Sequence, residues 1–388
     1  MVKGSPAASS TPISVGRFWL AVWCGYSSLG ATSQVQPEFL VHRFRASPFV
    51  VGAAISLASL AAALMRPFAG RAADNGLGRH VVMLGGACGV LGGVGQWWSP
   101  TLSVLLLSRL VMGAAEGALF TGAITLVLRT CEPEKRGSLA GWFGLSMWAG
   151  LCTGPALAAW VAQISRDTTA VWLLVIVLPF IGLVLVSTTA TASPAVASTH
   201  RQLHRVLMPK GARLPGVAFF LTSYGYGSIN SLLILYLVNR HLGGEGIVLS
   251  LFAAFFLITR ALGSPLVNRL GGRATLLFCI LIEVVGLCFI ALPRLAVILA
   301  GAALAGIGVS MLYPAFVFLV VQRVPLAQHG VAVGFMTSFW DMGLVAGGTL
   351  GGLVISRGDF PVAFEVAAFL ATLSLLIVLI PLSKGADQ

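Results

Sequence analysis

The chain reads as an all-α membrane protein: twelve transmembrane helices in two pseudo-symmetric bundles of six. Three observations carry this. Apolar stretches of membrane-spanning length recur along the whole chain, charge is scarce, and the second half re-uses the punctuation of the first. Hydrophobic residues make up 57% and charged residues 9% of the 388, against about 25% charged in an ordinary soluble domain. A helix needs ~20 apolar residues to cross ~30 Å of hydrocarbon, where it satisfies every backbone N–H and C=O without water.

The first stretch, 15–40, follows Lys3 and Arg17. It is too long for the apolar core of a signal peptide. The second and third, 50–70 and 80–99, flank a short basic, glycine-rich segment. The fourth, 102–129, carries Arg109 and Glu116, and the fifth, 139–164, contains GLCTGPALAAW. The sixth, 169–188, closes the first half. The Ser/Thr/Pro-rich and then basic segment 189–214 is a hinge-like linker. The second half follows with 215–239, 246–267, 273–293, 294–321, 330–356 and 361–383, and tails at 1–14 and 384–388 complete the chain.

A net charge of +12 in a soluble protein points to nucleic acid; here it has a topological origin. With the N-terminus inside, fifteen of the 24 Lys and Arg fall on cytoplasmic segments, six outside and three within stretches. That asymmetry places both termini in the cytoplasm and the protein in the cell membrane, with the lipid bilayer rather than nucleic acid as its partner. None of the six cysteines is placed to pair outside. His200 and His204 have helical metal-ligand spacing but no carboxylate or thiolate beside them, so no metal is expected. There is no HExxH, GxSxG or ATP-binding loop, so neither an enzyme nor a cofactor is expected.

A shift of 194 residues lays Arg66, Gly70, Asp74, Gly78 and Arg79 on Arg260, Ser264, Asn268, Gly272 and Arg273. A shift of 193 lays Gly150 and Gly154 on Gly343 and Gly347. Two halves built alike suit a carrier that opens one face while closing the other.

On these residues the chain resembles the major facilitator superfamily, particularly its small drug- and metabolite-exporting branch. RPFAGRAADNGLGRH (66–80) is similar to the family's gate motif, with one residue more between Asp74 and Gly78. Asp74 is placed to cap a facing helix N-terminus near 330 and to pair with loop arginines. RLVMGAAEG (109–117) is similar to the family's intramembrane arginine motif. GLCTGPALAAW, with Gly150, Gly154 and Pro155, resembles the antiporter motif of the fifth helix, and SPLVNRLGGR (264–273) is a weakened gate copy.

The resemblance implies a monomeric secondary active transporter that exports a small organic compound against protons by alternating access. A proton-coupled importer of a sugar or other metabolite is the alternative. It also implies a central cavity lined by helices one, four, seven and ten. The polar stripe Ser27, Gln34 and Glu38, the stripe Ser223, Tyr226 and Asn230, and Tyr313 beside Pro314 supply its substrate-binding candidates. A carboxyl in hydrocarbon costs most when charged, which makes buried acids the proton-carrier candidates. Glu116, on the face of Arg109, comes first and Asp341 second; Glu283 is structural. Arg66 and Arg260 either attract an anion, snorkel to headgroups or brace the gate, and bracing is favoured because both adjoin the gate motif.

Overall fold

The structure, a computed structural model, describes residues 14–46, 48–166, 169–189, 209–244, 247–357 and 359–380. Most of the linker 189–214 lies outside them, as do the side chains of Glu38, Ser264 and Asn268, so nothing further is said of those candidates. Among the described residues there is no strand.

The described residues form thirteen α-helices in twelve spans: α1 (Val15–Phe44), α2 (Pro48–Ala72), α3 (Gly78–Trp97), α4 (Leu102–Arg129), α5 (Arg136–Ser165), α6 (Thr169–Ser187), α7 (Lys210–Asn239), α8 (Val248–Leu270), α9 (Gly272–Ala291), α10 (Leu295–Ser310), α11 (Leu312–Val321), α12 (His329–Arg357) and α13 (Phe360–Leu379). Together α10 and α11 make the tenth span. The turn between α2 and α3 absorbs the extra residue of the gate motif because Gly76 adopts φ +84°, a region glycine enters without a Cβ penalty.

Helix boundaries depart from the sequence reading where proline is involved. The helix α7 starts at Lys210, inside the expected linker, and runs through Pro215, since a proline removes only one backbone hydrogen bond. At the other end of the half, α13 stops at Leu379. Ile380, which precedes Pro381, is extended (φ −58°, ψ 127°), because the proline ring disfavours a helical predecessor.

Each internal proline also frees the carbonyl four residues earlier, and three of these find side-chain donors. Pro179 frees Val175, which accepts from Ser28 Oγ at 2.6 Å. Pro67 frees Ala63, which accepts from Ser338 Oγ, and Pro314 frees Ser310, which accepts from Arg260 Nη1. The last two bonds lie in the polar interior described below.

The helices α1–α6 pack on one another, as do α7–α13, and the two halves meet where α2 lies on α12 and α5 lies on α8 and α11. Within the halves the paired glycines have the same job. Gly150 and Gly154 lie against the α1 backbone around Trp23, Ser27 and Ala31, while Gly343 and Gly347 lie against the α7 backbone around Phe220, Tyr224 and Ser228. Glycine permits this approach, which supplies dispersion contact where lipid is as apolar as leucine.

The Cβ of Gly154→Val would collide with the Ser27 carbonyl, whereas Gly352→Ala meets nothing within 4 Å. Overpacking of this kind costs about 1–3 kcal/mol. Gly154→Val should therefore lower the thermal midpoint of the detergent-purified protein by several degrees, with Gly352→Ala unchanged in the same scanning-fluorimetry measurement.

Candidate functional site

The polar interior lies on the seam between halves. Arg66, on α2, is only 1% exposed, so its guanidinium reaches no headgroup. It donates from Nε to Asp341 Oδ2 at 2.6 Å and from Nη2 to Asp341 Oδ1 at 3.3 Å, a two-point grip on a carboxylate of the opposite half. The same Nη2 lies 3.7 Å from Glu116 Oε1 on α4, within its own half. Phe120 forms one wall, its ring centroid 6.0 Å from the guanidinium carbon, and Tyr26 and Tyr313 pack edge-on against that ring at 6.1 and 5.7 Å.

The two proton-carrier candidates, on separate helices, thus share one cation. Arg66, favoured from the sequence as a gate brace, is in contact with both acids. Arg109 is not: buried in α4, it donates to the Ala54 carbonyl of α2 at 3.2 Å and stands two turns, ~10 Å, from Glu116. Glu283, on α9, is away from the seam, buried beside Gly225 and Leu287.

One end of the seam is closed by Asp74. Its Oδ1 accepts from the Gly330 N–H and its Oδ2 from the Val331 N–H, both at 2.8 Å, next to the N-terminus of α12, where unsatisfied donors and the helix dipole favour an anion. Gly70 and Gly330 make the approach possible, since a Cβ on either would strike the other's carbonyl. The pairing arginine is Arg129 of α4, 3.7 Å from Asp74 Oδ1, rather than an arginine of the loop. Arg79 instead donates to the Val186 and Ser187 carbonyls ending α6. Its counterpart Arg273 does the same for Val378 and Leu379 at the end of α13. These two gate-motif arginines are helix C-caps within their own halves. Gly78 packs on Leu126 and Gly272 on α11.

The second seam places an arginine where the first has Arg66. Arg260, fully buried on α8, donates to the Gly141 carbonyl of α5 at 3.2 Å and faces the Tyr313 ring at 5.8 Å. The 193-residue shift places Trp148 where α12 has Asp341. Gly150, Gly154 and Pro155 contact α1 and do not cross the seam.

Beyond Arg260, on the side away from Asp74, α5, α7 and α8 enclose a cavity of about 190 Å³ lined by Trp148, Cys152, Tyr226, Asn230, Phe252 and Phe256 among others. Tyr226 and Asn230 belong to it. Tyr313 is buried and packs against Phe120 and the Arg260 guanidinium, and Gln34 is exposed on α1. The sequence reading missed Trp148, Phe252 and Phe256, since aromatics in membrane helices carry no signal of their own. It also missed Arg129 and Ser338. For Ser338 a signal existed, because Pro67 announces an unpaired carbonyl at Ala63.

The sequence profile of the Major Facilitator Superfamily matches residues 18–244 and 215–387. The chain belongs to this superfamily. It is accordingly a multi-pass membrane transporter, whose partners are a small-molecule substrate and the bilayer. Nine helical segments of the described residues are long and apolar enough to span. One of these, Leu57–Trp97, holds both α2 and α3. With α1 and the shorter apolar α8 they complete the twelve. Relatives cover nearly the whole chain. An MFS-type transporter of Salmonella typhimurium is 28% identical over 380 residues, 95% of this chain and 96% of its own. The MFS-type transporter YhhS of Escherichia coli K12 is 30% identical over 368 residues, 92% of this chain and 89% of its own. The fold is also that of the human organic anion transporter MFSD10 (TETRAN), TM-score 0.76 at 15% identity over 94% of this chain and 98% of that one. It is shared with a bacterial homologue of the iron transporter ferroportin in an outward-facing state, TM-score 0.77 at 16% identity over 94% and 98%.

Asp74→Asn keeps the size of the side chain but loses its charge and one of two backbone acceptors. Hydrogen bonds to a charged group are worth about 1.5–3 kcal/mol. The closed end should open more often, seen as at least a fivefold faster modification of a cysteine placed at position 125, where Thr125 is buried against Gly330, in Asp74→Asn than in the wild-type background.

Proposed function

We propose that the protein is a proton-driven exporter of a small organic compound, with Arg66, Asp341 and Glu116 as its coupling site. The observation that carries this reading is the sharing of Arg66 between an acid of its own half and an acid of the other. Both halves are sealed at the Asp74 end, and the cavity lies on the far side of that seal. With the Lys- and Arg-rich segments inside, the sealed end is cytoplasmic and the structure is outward-facing, in the cell membrane with both termini inside.

One guanidinium balances one carboxylate. A second carboxylate in a medium of low dielectric is uncompensated and strongly unfavourable, so the cluster holds a proton, and the position of that proton decides the latch. With the proton on Glu116, Arg66 grips Asp341 and ties α2 to α12. With the proton on Asp341, that grip is lost and Arg66 turns to Glu116 within its own half, freeing the seam. A proton entering from outside binds Asp341 in the outward-facing state; as the cytoplasmic end opens, Glu116 gives its own proton to the cytoplasm and takes Arg66, and substrate binds. Transfer of the remaining proton from Asp341 to Glu116 lets Arg66 re-engage Asp341 and close that end behind the cargo, so that one proton enters from outside and one leaves to the cytoplasm per cycle. Export is favoured over import because one latch is charged and the cavity carries few of the paired polar groups a sugar requires; the fifth-helix glycine-proline motif points the same way.

The two acids should give opposite conformations when neutralised. Glu116→Gln mimics the latched form and should lower cysteine reactivity at the cytoplasmic end; Asp341→Asn mimics the released form and should raise it. Both should lose at least tenfold in gradient-driven transport into everted vesicles while retaining downhill exchange. Equal shifts in the same direction, or full uphill transport by either variant, overturn the assignment. Arg66→Lys should retain little activity, because an ammonium lacks the fork that serves both acids at once.

A further inference from the structure

We infer that the cavity between α5, α7 and α8 binds a neutral, single-ring aromatic compound bearing a hydrogen-bonding group. This names the substrate class of the proposed exporter and rests on that reading for its direction of movement, but not for binding. The wall is aromatic and continuous. Tyr226 stacks between Phe252 and Trp340, at 5.4 and 5.6 Å between centroids with interplanar angles of 24° and 18°. Trp148, from the first half, packs on Phe256 at 4.5 Å and meets Tyr226 edge-on at 5.6 Å. A flat ring entering the cavity meets the rings of Trp148, Tyr226, Phe252 and Phe256 that line it, in the offset or edge-to-face arrangements that aromatic pairs favour.

Size sets the upper limit. An apolar cavity of about 150 Å³ holds one benzene, so a cavity of about 190 Å³ matches one ring with a small substituent. Charge sets the second limit. Among the described residues no Asp, Glu, Lys or Arg lines the cavity. The neighbouring ionic groups are already engaged, Asp341 with Arg66 and Arg260 with the Gly141 and Ser310 carbonyls. A fixed charge on the ligand would lose its hydration against an apolar wall without a counter-ion. Polar capacity comes from the amide of Asn230, exposed toward the cavity, which donates and accepts. One hydroxyl or carbonyl on the ring is thereby satisfied.

Cys152 lines the same cavity and reports its occupancy. The probes are p-cresol, benzoate and benzylamine, the last two charged at pH 7. Purified full-length protein in nanodiscs is alkylated with N-ethylmaleimide, and Cys152 modification is followed by peptide mass, with the exposed Cys288 of α9 as internal reference. Half-protection of Cys152 should occur at a p-cresol concentration at least tenfold below that for benzoate or benzylamine. Asn230→Leu should weaken p-cresol protection about tenfold, and Asn230→Asp should turn the preference toward benzylamine, a gain that misfolding cannot produce. Equal or better protection by either charged ring, or none by p-cresol at tenfold the concentration at which it partitions measurably into the nanodisc lipid, overturns the inference. Protection by p-cresol without gradient-driven movement in vesicles upholds the site and refutes the exporter reading; movement of another compound with no p-cresol protection does the reverse.

Discussion

A guanidinium buried inside a membrane protein has no water to turn to, and Arg66 meets that constraint by gripping a carboxylate of the opposite half. Isolating either partner would leave an uncompensated charge in low dielectric, a loss of about 3–5 kcal/mol for a buried pair. The tie between α2 and α12 is therefore strong only while both partners are charged, which is the property a proton-operated latch needs. Everything nearby serves this bond. Phe120 shields it, Pro67 forces Ala63 to take a hydrogen bond from Ser338 one turn from Asp341, and Asp74 pins the first backbone amides of α12.

The near-symmetry of the halves shows what has been added. Arg260 occupies the place of Arg66, and among the described residues it meets the Gly141 and Ser310 carbonyls and the Tyr313 ring. Where the first seam has Asp341, the second has Trp148, and that tryptophan becomes part of a cavity wall. One seam thus holds an ion pair, while the other holds an arginine met by carbonyls and borders a cavity. Proline recurs in both as a way of placing acceptors: it removes a donor from the helix ladder, and a side chain on a neighbouring helix must supply the replacement.

Much of the fold was legible from the sequence because hydrocarbon imposes length and apolarity on every span, and α4 ends at the expected residues. The reading failed where single backbone bonds decide. The helix α7 begins five residues before Pro215 rather than at it, and Met311 divides the tenth span into α10 and α11. For the site, Asp341, Glu116 and Arg66 were all visible as charges in apolar stretches, but their meeting was not. Arg66 lies 50 residues from Glu116 and 275 from Asp341, so only the packing of α2 on α4 and α12 joins them. A clue was present in the repeat: two arginines at matching positions, with an acid at only one of the two matching sites on the facing helices.

The central claim is that the Arg66–Asp341 bond holds the α2–α12 seam closed and that protonation releases it. Spin labels on the loop ends of α2 and α12, read by double electron–electron resonance in nanodiscs across pH 5 to 8.5, test it directly. The expected result is a single short distance at high pH, a growing longer component as pH falls, and the longer component at every pH in Asp341→Asn. A distribution that does not change with pH, or an Asp341→Asn protein that stays closed like the wild type, would contradict it.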